Sequence, residues 1–248
     1  MYEIGTRPPI ARSYAWPVIQ TPALRAVIFD FDGTLVDSEP IHGLATREGL
    51  AVAGIDLSVE EFLARWVGLS DTECYLQVAK DRGVTLEPGV MERVRAAKNE
   101  VYERMALSGE VPLVAGAVTL IHSLARTLPL GVCSAARRIE IESALTRHAL
   151  LDRMRAIVAV EDVAHSKPDP EGYLLAAQRV GVEPGACVAI EDTSRGIEAA
   201  RRAGMGVVAV AQTVSESRLS GAHVVKRSLR EVNEGALLAA LDASQQRG

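Results

Sequence analysis

Short runs of apolar residues recur along the chain, and segments with helical spacing of apolar positions lie between them. Continuous apolar runs of this kind are typical of strands that are buried on both faces of a parallel sheet. The runs lie at 23–30, 130–134, 156–160, 187–191 and 206–210, with a weaker one at 222–225. The segments between them predict helices at 115–126, 138–148, 170–180 and 194–203. This alternation predicts an α/β fold, a Rossmann-like three-layer core with helices on both faces of a parallel sheet.

The segment 38–111 breaks this alternation. It has apolar residues at helical spacing, no convincing strand, and candidate helices at 40–53, 59–66, 71–81 and 87–106. Because it follows the first predicted strand, we expect an all-helical cap domain inserted into a core formed by 23–37 and 112–230. We expect residues 1–22, which contain four prolines, to form an irregular extension, and residues 231–248 to form a C-terminal helix or tail.

Composition narrows the class of protein. The 248 residues are 48% hydrophobic and 24% charged, with a net charge of −5, which is an ordinary balance for a soluble globular protein. Positive charge is not concentrated anywhere, so we expect no nucleic-acid partner and no binding to anionic lipid. The three cysteines are widely scattered and no apolar run approaches the roughly 20 residues that span a bilayer. We therefore expect a cytoplasmic protein with buried thiols.

Reactive side chains follow four of the predicted strands. The carboxyl ends of parallel strands meet at one edge of a sheet, where open α/β sheets bind their ligands. The side chains at these ends or in the loops that follow are Asp30, Asp32, Ser134, Lys167, Glu191 and Asp192. Carboxylates, a hydroxyl and a lysine together suit a phosphate group and a divalent cation. The sequence therefore predicts a phosphoryl-transfer site at this edge.

Each carboxylate has a chemically reasonable role. Asp30 is a candidate nucleophile because a carboxylate can form an aspartyl-phosphate intermediate. Attack on an anionic phosphoryl group requires charge neutralisation, which Mg²⁺ supplies through oxygen ligands. We predict that Asp30, the backbone carbonyl of Asp32 and Asp192 hold this ion, with Glu191 nearby. Asp32 can protonate the leaving oxygen and then deprotonate the attacking water.

The remaining candidates bind the phosphoryl group. Lys167 supplies a positive charge beside the nucleophile. Ser134 and the amide of Ala135, which we expect at a helix N-terminus, suit phosphate oxygens. Gly33 allows the backbone to turn closely around the phosphate.

These residues carry a resemblance to a known family. The motifs are Asp30-x-Asp32-Gly33-Thr34-Leu35-x-Asp37-Ser38, Ser134, Lys167-Pro168-Asp169-Pro170 and Glu191-Asp192-x-x-x-Gly196. Together they resemble the four motifs of the haloacid dehalogenase superfamily, in particular its β-phosphoglucomutase-like phosphatases with a helical cap. The resemblance implies Mg²⁺-dependent hydrolysis of small-molecule phosphate monoesters, with sugar phosphates as the expected class. It also implies substrate-binding roles for His42 in the first cap helix and for Arg137, whose alternatives are a helix-surface histidine and a solvated charge.

The same motifs bear on three alternatives to a phosphatase. Dehalogenases of the superfamily lack the second aspartate of the first motif, so Asp32 disfavours dehalogenation. Mutases carry Lys-Gly-x-Ser-Arg in the cap, and the corresponding segment here has Val67 and Asp71 at the basic positions. An acidic residue should repel a second phosphate, so a phosphomutase is the alternative and hydrolysis is preferred. A non-catalytic phosphate-binding or regulatory protein is a further alternative. For the oligomeric state, we expect a monomer or a weak homodimer.

Overall fold

The computed structural model describes residues 23–67, 69–108 and 111–246. The predicted N-terminal extension, 1–22, lies outside these residues. A parallel sheet with the strand order β3-β2-β1-β4-β5-β6 forms the centre of the fold. Its strands are β1 (Ala26–Phe29), β2 (Leu130–Cys133), β3 (Met154–Val158), β4 (Cys187–Glu191), β5 (Gly206–Val210) and β6 (Val224–Lys226). The predicted Rossmann-like α/β fold is confirmed.

The structure describes helices in the segment that follows β1 and, after that segment, helices that cover both faces of the sheet. They are α1 (Glu39–Ala51), α2 (Val59–Arg65), α3 (Asp71–Asp81), α4 (Pro88–Leu107), α5 (Ala117–Leu124), α6 (Arg138–Arg147), α7 (Glu171–Val180), α8 (Ser194–Arg202) and α9 (Glu234–Gln245). Helices α5, α6 and α9 share a hydrophobic cluster with Val27 and Phe29, whereas α7 and α8 share one with Ala26 and Ile28. Alternate residues of β1 thus face opposite layers, which explains why the strand is apolar throughout.

The block from α1 to α4 contains no strand in the part of it that the structure describes. It has a hydrophobic cluster of its own, which includes Leu50, Phe62, Trp66, Tyr75 and Val78. A separate cluster is what an inserted helical domain requires, because each helix must bury its apolar face. The exact boundaries predicted for the cap, 38 and 111, stay a prediction.

Local signals explain where these helices begin. The Ser58 hydroxyl accepts a hydrogen bond from the Glu61 amide at 3.1 Å, and this caps α2. Ser70 and Glu73 form a reciprocal capping box at the start of α3. None of the helices within the described ranges is long and apolar enough to cross a membrane.

The third strand differs from its predicted position. We expected it at 156–160, and it lies two residues earlier, at Met154–Val158. Met154 pairs with Leu130 at the start of β2, and the Asp162 side chain accepts from the Ala159 amide at 2.8 Å, so the chain turns after Val158. The three cysteines are buried and free, as predicted.

Candidate active site

The register of the sheet brings the first and fourth motifs together. Phe29 at the end of β1 lies opposite Ile190 of β4, and the Asp30 amide donates to the Ile190 carbonyl at 2.9 Å. Asp30 therefore emerges beside Glu191 at the same edge. Parallel pairing of two strands whose next residues are acidic is enough to produce this contact.

Gly33 forms the tight turn that follows. Its φ is +73°, in the left-handed region that favours glycine, and its amide donates to the Val36 carbonyl at 2.8 Å. A Cβ on this residue would lie 2.1 Å from Oδ2 of Asp192. A side chain is thus excluded here because the backbone passes directly against the Asp192 carboxylate.

Lys167 joins the two acidic motifs. Its Nζ lies 2.5 Å from Oδ1 of Asp30 and 2.6 Å from Oε1 of Glu191, and its side chain is only 14% exposed. The Tyr173 hydroxyl donates to the same Glu191 oxygen at 2.7 Å. The sequence prediction that a lysine lies beside the candidate nucleophile agrees with this geometry.

Glu191 is saturated with hydrogen bonds. Besides Lys167 and Tyr173 on Oε1, its Oε2 accepts from the Thr193 hydroxyl at 3.0 Å and from the Asp192 amide at 3.2 Å. The carboxylate is fully buried, and a Cβ on Gly196 would lie 1.8 Å from it. These contacts fix Glu191 as a rigid partner for the lysine ammonium group.

Asp192 has an oxygen that lacks a partner. The Thr213 hydroxyl donates to Oδ2 at 2.5 Å, whereas Oδ1 is buried and has no hydrogen-bond partner among the described residues. One carboxylate oxygen from each of Asp30, Glu191 and Asp192 lies within 4.8 Å of the others. A buried carboxylate oxygen without a donor is costly, and a hard divalent cation would satisfy it.

The electrostatics of the cluster favour the same occupant. Burial and then the Glu191 carboxylate raise the pKa of Asp192 to about 7, and both also raise the pKa of Asp30. Burial opposes the charge on Lys167, but Asp30 and Glu191 raise its pKa well above the ordinary value, so it remains an ammonium group. Three carboxylates facing one ammonium group carry an excess of two negative charges when ionised. The residues present therefore fit Mg²⁺.

Asp32 is two residues beyond Asp30 and is the fourth carboxylate of the predicted site. Burial raises its pKa, and hydrogen bonds with Ser38 and Ser134 partly oppose this effect. A carboxyl group with a raised pKa can hold a proton closer to neutral pH than an exposed one, which is the property an acid catalyst needs. The Asp32 carboxylate is not part of the three-carboxylate group, and the contribution of its backbone carbonyl to a metal stays a prediction.

We expected Ser134 and Ala135 at a helix N-terminus, but the structure places them before the helix begins. Helix α6 begins only at Arg138, and Ser134 and Ala135 precede it in a turn of their own. The Ser134 amide donates to the Val158 carbonyl at 3.0 Å, and its hydroxyl accepts from the Ala136 amide at 2.9 Å. The hydroxyl therefore caps this turn, and the exposed Ala135 stands at its tip.

Arg137 is held by carboxylates. Its guanidinium group lies 2.8 Å from Glu140 at the start of α6 and 3.1 Å from Glu103 of α4. The predicted phosphate contact would have to compete with both. The pair with Glu103 joins the sheet layer to the helical block.

His42 lies in α1, as predicted, and stacks on Tyr102 of α4 with ring centroids 4.4 Å apart. Burial, and then the charge of Lys98, lowers the pKa of His42 to about 4, so the ring is neutral at pH 7. A direct contact between His42 and a substrate stays a prediction.

Asp71 is not the uncompensated negative charge that the sequence suggested. Its Oδ2 lies 2.9 Å from Nζ of Lys98, a buried lysine in α4. The same ammonium group lies 4.9 Å from the centroid of the Tyr102 ring. The Lys98 ammonium group balances the charge of Asp71, so the expected repulsion of a second phosphate does not follow from Asp71 alone.

The comparisons with known proteins agree with the geometry. The family model for haloacid dehalogenase-like hydrolases matches residues 27–210. This chain belongs to that family. The match begins in β1 and ends in β5, so it includes every strand end that contributes to the site.

The names or titles of several relatives of this haloacid dehalogenase-like hydrolase refer to sugar phosphates. It is 35% identical to fructose-1-phosphate phosphatase from Escherichia coli over 74% of this chain and 95% of that protein. It is 32% identical to β-phosphoglucomutase from Bacillus subtilis over 76% of this chain and 84% of that protein. The structure of CbbY from Rhodobacter sphaeroides in complex with xylulose-1,5-bisphosphate superposes with a TM-score of 0.66, at 26% identity, covering 86% of this chain and 99% of that one.

Sequence reasoning missed three residues that support the site of this hydrolase. Tyr173 and Thr213 donate to the acidic cluster, and Arg195 donates two hydrogen bonds to the Lys167 carbonyl, at 3.1 and 2.5 Å. Thr213 could have been found, because it follows the fifth predicted strand and should reach the same edge. Tyr173 and Arg195 lie in helices, where no local pattern distinguishes them from core and surface residues.

Proposed function

We propose that this protein is a Mg²⁺-dependent phosphatase that hydrolyses phosphate monoesters of small molecules through an aspartyl-phosphate on Asp30. One observation carries the proposal. The Asp30 carboxylate is held by the largely buried Lys167 and belongs to the same carboxylate group as Asp192, whose Oδ1 has no partner among the described residues. A nucleophile, a fixed positive charge and a cation site thus occupy one small volume at the strand edge.

Asp30 and Asp192, with the backbone carbonyl of Asp32, would hold the ion, and Glu191 would act mainly by fixing Lys167. Mg²⁺ would supply charge neutralisation for the approach of an anionic phosphoryl group to a carboxylate. Lys167 adds a positive charge that is already oriented, since two carboxylates hold it before substrate arrives. Its ammonium group stabilises charge on the transferring oxygens without reorganisation.

The proton transfers fall to Asp32. In the first step an Asp30 oxygen forms a bond to phosphorus, the bond from phosphorus to the leaving oxygen breaks, and Asp32 gives its proton to that oxygen. In the second step Asp32 takes a proton from water, which attacks phosphorus and releases Asp30. Ser134, Ala135 and Gly33 would surround the phosphoryl oxygens, and closure of the helical cap would exclude other water.

Sugar phosphates are the proposed substrate class. The support is the name of the Escherichia coli relative, a fructose-1-phosphate phosphatase, and the sugar bisphosphate bound in the CbbY structure. The proposal is tested with a panel of sugar, nucleotide and short-acid phosphates, assayed for phosphate release with Mg²⁺ and with a chelator. We expect release from sugar phosphates that depends on Mg²⁺.

The decisive variant is Asp30→Asn. It removes the nucleophile and one of the crowded negative charges, so turnover should be abolished and the melting temperature should not fall. Asp152→Asn, at an exposed position away from the site, is the matched control and should retain activity. Phosphate release by the Asp30→Asn protein at the wild-type rate would contradict the mechanism.

A phosphomutase is the second candidate, because β-phosphoglucomutase from Bacillus subtilis is among the relatives. Isomerisation of β-glucose 1-phosphate in the presence of a sugar bisphosphate separates the two functions. We expect free phosphate and little isomer. If neither product forms with any compound of the panel, the protein is a phosphate-binding or regulatory protein.

A further inference from the structure

The three carboxylates of the acidic group have few oxygens left for a cation. Oδ1 of Asp30 lies 2.5 Å from Nζ of Lys167, and both oxygens of Glu191 accept hydrogen bonds. Oδ2 of Asp192 accepts from the Thr213 hydroxyl at 2.5 Å. Each carboxylate thus has at least one oxygen engaged by a protein donor, whereas Oδ1 of Asp192 is buried and has no partner among the described residues. The group therefore offers single oxygens to a cation and not pairs of oxygens from one carboxylate.

Thr213 is held in place by the loop that follows β5. The neighbouring Gln212 side chain donates to the Gly33 carbonyl at 3.1 Å and accepts from the Leu229 amide at 3.2 Å. The Thr213 methyl group packs against Gly33, since a Cβ on that glycine would come within 2.8 Å of it. The same Cβ would lie 2.1 Å from Oδ2 of Asp192. The Gly33 backbone and the Thr213 hydroxyl together leave this oxygen little room for a cation.

The number of oxygens that a site supplies discriminates between divalent cations. Mg²⁺ requires near-octahedral geometry with oxygens at about 2.1 Å, and it usually binds through one or two carboxylates and several waters. Ca²⁺ takes about six to eight oxygens and accepts both oxygens of one carboxylate. A group that offers single oxygens therefore suits Mg²⁺ better. At Asp192 the second oxygen is withheld by one side-chain hydrogen bond, and such partners of a ligand tune the metal that it binds.

We propose that Thr213 makes the site selective for Mg²⁺ over Ca²⁺ by reserving Oδ2 of Asp192, so that Asp192 binds the ion through Oδ1 alone. This inference rests on the proposed Mg²⁺-dependent function and adds a specificity-determining residue to it. Lys167 holds the other two carboxylates, so Thr213 is the residue whose loss frees Asp192.

The test measures the dissociation constants of Mg²⁺ and Ca²⁺ on the protein without substrate. Mn²⁺ is the reporter, because its displacement by either ion is followed through the electron paramagnetic resonance signal of free Mn²⁺. Thr213→Val keeps the shape of the side chain and removes the donor, so Asp192 can turn both oxygens toward the cation. The ratio of the Ca²⁺ to the Mg²⁺ dissociation constant should be above one for the wild-type protein and should fall about tenfold in this variant.

Thr213→Ser is the matched control. It keeps the hydroxyl and loses only the methyl group, so the ratio should stay near the wild-type value. A merely structural role of Thr213 would weaken the binding of both ions in parallel and would leave the ratio unchanged in the valine variant. Melting temperatures of all variants establish that they are folded. If Thr213→Val is unfolded, Thr213→Ala also removes the donor and should give the same fall in the ratio.

Metal binding and turnover are separate readouts, so this inference and the proposed function can fail independently. The displacement assay needs no turnover, and the expected fall in the ratio supports the inference even if no phosphate is released. An unchanged ratio in the folded valine or alanine variant, an equal fall in Thr213→Ser, or a wild-type preference for Ca²⁺ would overturn the inference while phosphate release with Mg²⁺ still stood. A wild-type protein that binds neither ion would overturn both.

Discussion

The neutral imidazole of His42 should make the folded protein sensitive to mild acid. The ring is partly buried against Tyr102, and Lys98 places a positive charge nearby, so its pKa is lowered from 6.5 to about 4. In the unfolded chain the ring takes up a proton near pH 6.5. The unfolded state therefore binds more protons between these two values, and stability falls as pH falls through this window.

The size of the effect follows from the two pKa values. A group with pKa values of 6.5 unfolded and about 4 folded destabilises the protein by about 2 kcal/mol at about pH 5 and by very little at about pH 7.5. We expect His42→Phe, which keeps a stacking ring and loses the titration, to remove this contribution. Other acidic groups titrate in both proteins, so their effects cancel in the comparison.

The assay is urea unfolding followed by circular dichroism at about pH 7.5 and about pH 5. The wild-type free energy of unfolding should fall by about 1–2 kcal/mol more than that of His42→Phe between these conditions. His122→Phe, at an exposed position in α5, controls for the loss of a histidine. Equal pH dependence of the wild-type and His42→Phe proteins would show that the ring is not held neutral.

Three further substitutions test other contacts. Arg195→Gln removes both hydrogen bonds to the Lys167 carbonyl, so kcat should fall about tenfold with little change in KM, and Arg195→Lys should restore part of it in steady-state assays. Asp162→Asn should lower the free energy of unfolding by about 1–2 kcal/mol at pH 7. Hydrogen bonding to Arg179 lowers the pKa of Asp162 to about 2, so in urea titrations this difference should shrink as pH falls from about 4 to 2. Gly33→Ala should disturb the Asp192 carboxylate and weaken Mg²⁺ binding, measured by calorimetry, without unfolding the protein.

The parts of the site that could be predicted from sequence are those that the sheet positions by itself. Asp30, Ser134 and Glu191 follow apolar runs, and parallel pairing brings the ends of neighbouring strands together. The helices α1 to α4 could also be predicted, because capping residues and apolar spacing are local signals. The fold class and the family were predicted correctly on this basis.

Pairings between distant side chains could not be predicted in this way. Lys98 looks like an ordinary surface lysine in a helical segment, and only packing of α4 against α3 brings it to Asp71. The partners of Arg137 come from two different helices, so its sequence position near Ser134 suggested phosphate and gave no indication of Glu103. Such contacts depend on the relative placement of helices, which local patterns do not encode.

The central position of β1 has a consequence for the order in which the protein can fold during synthesis. β1 leaves the ribosome before the other five strands of the sheet, yet its two neighbours are β2 and β4, which end at Cys133 and Glu191. The nascent chain must therefore carry β1 unpaired until β2 has been made, and with one open edge until β4 has been made. Folding of this kind is slow, because distant segments must meet before their contacts stabilise the chain. We expect the helical block, whose contacts are local, to be the first part protected from proteolysis, and the catalytic edge to be among the last.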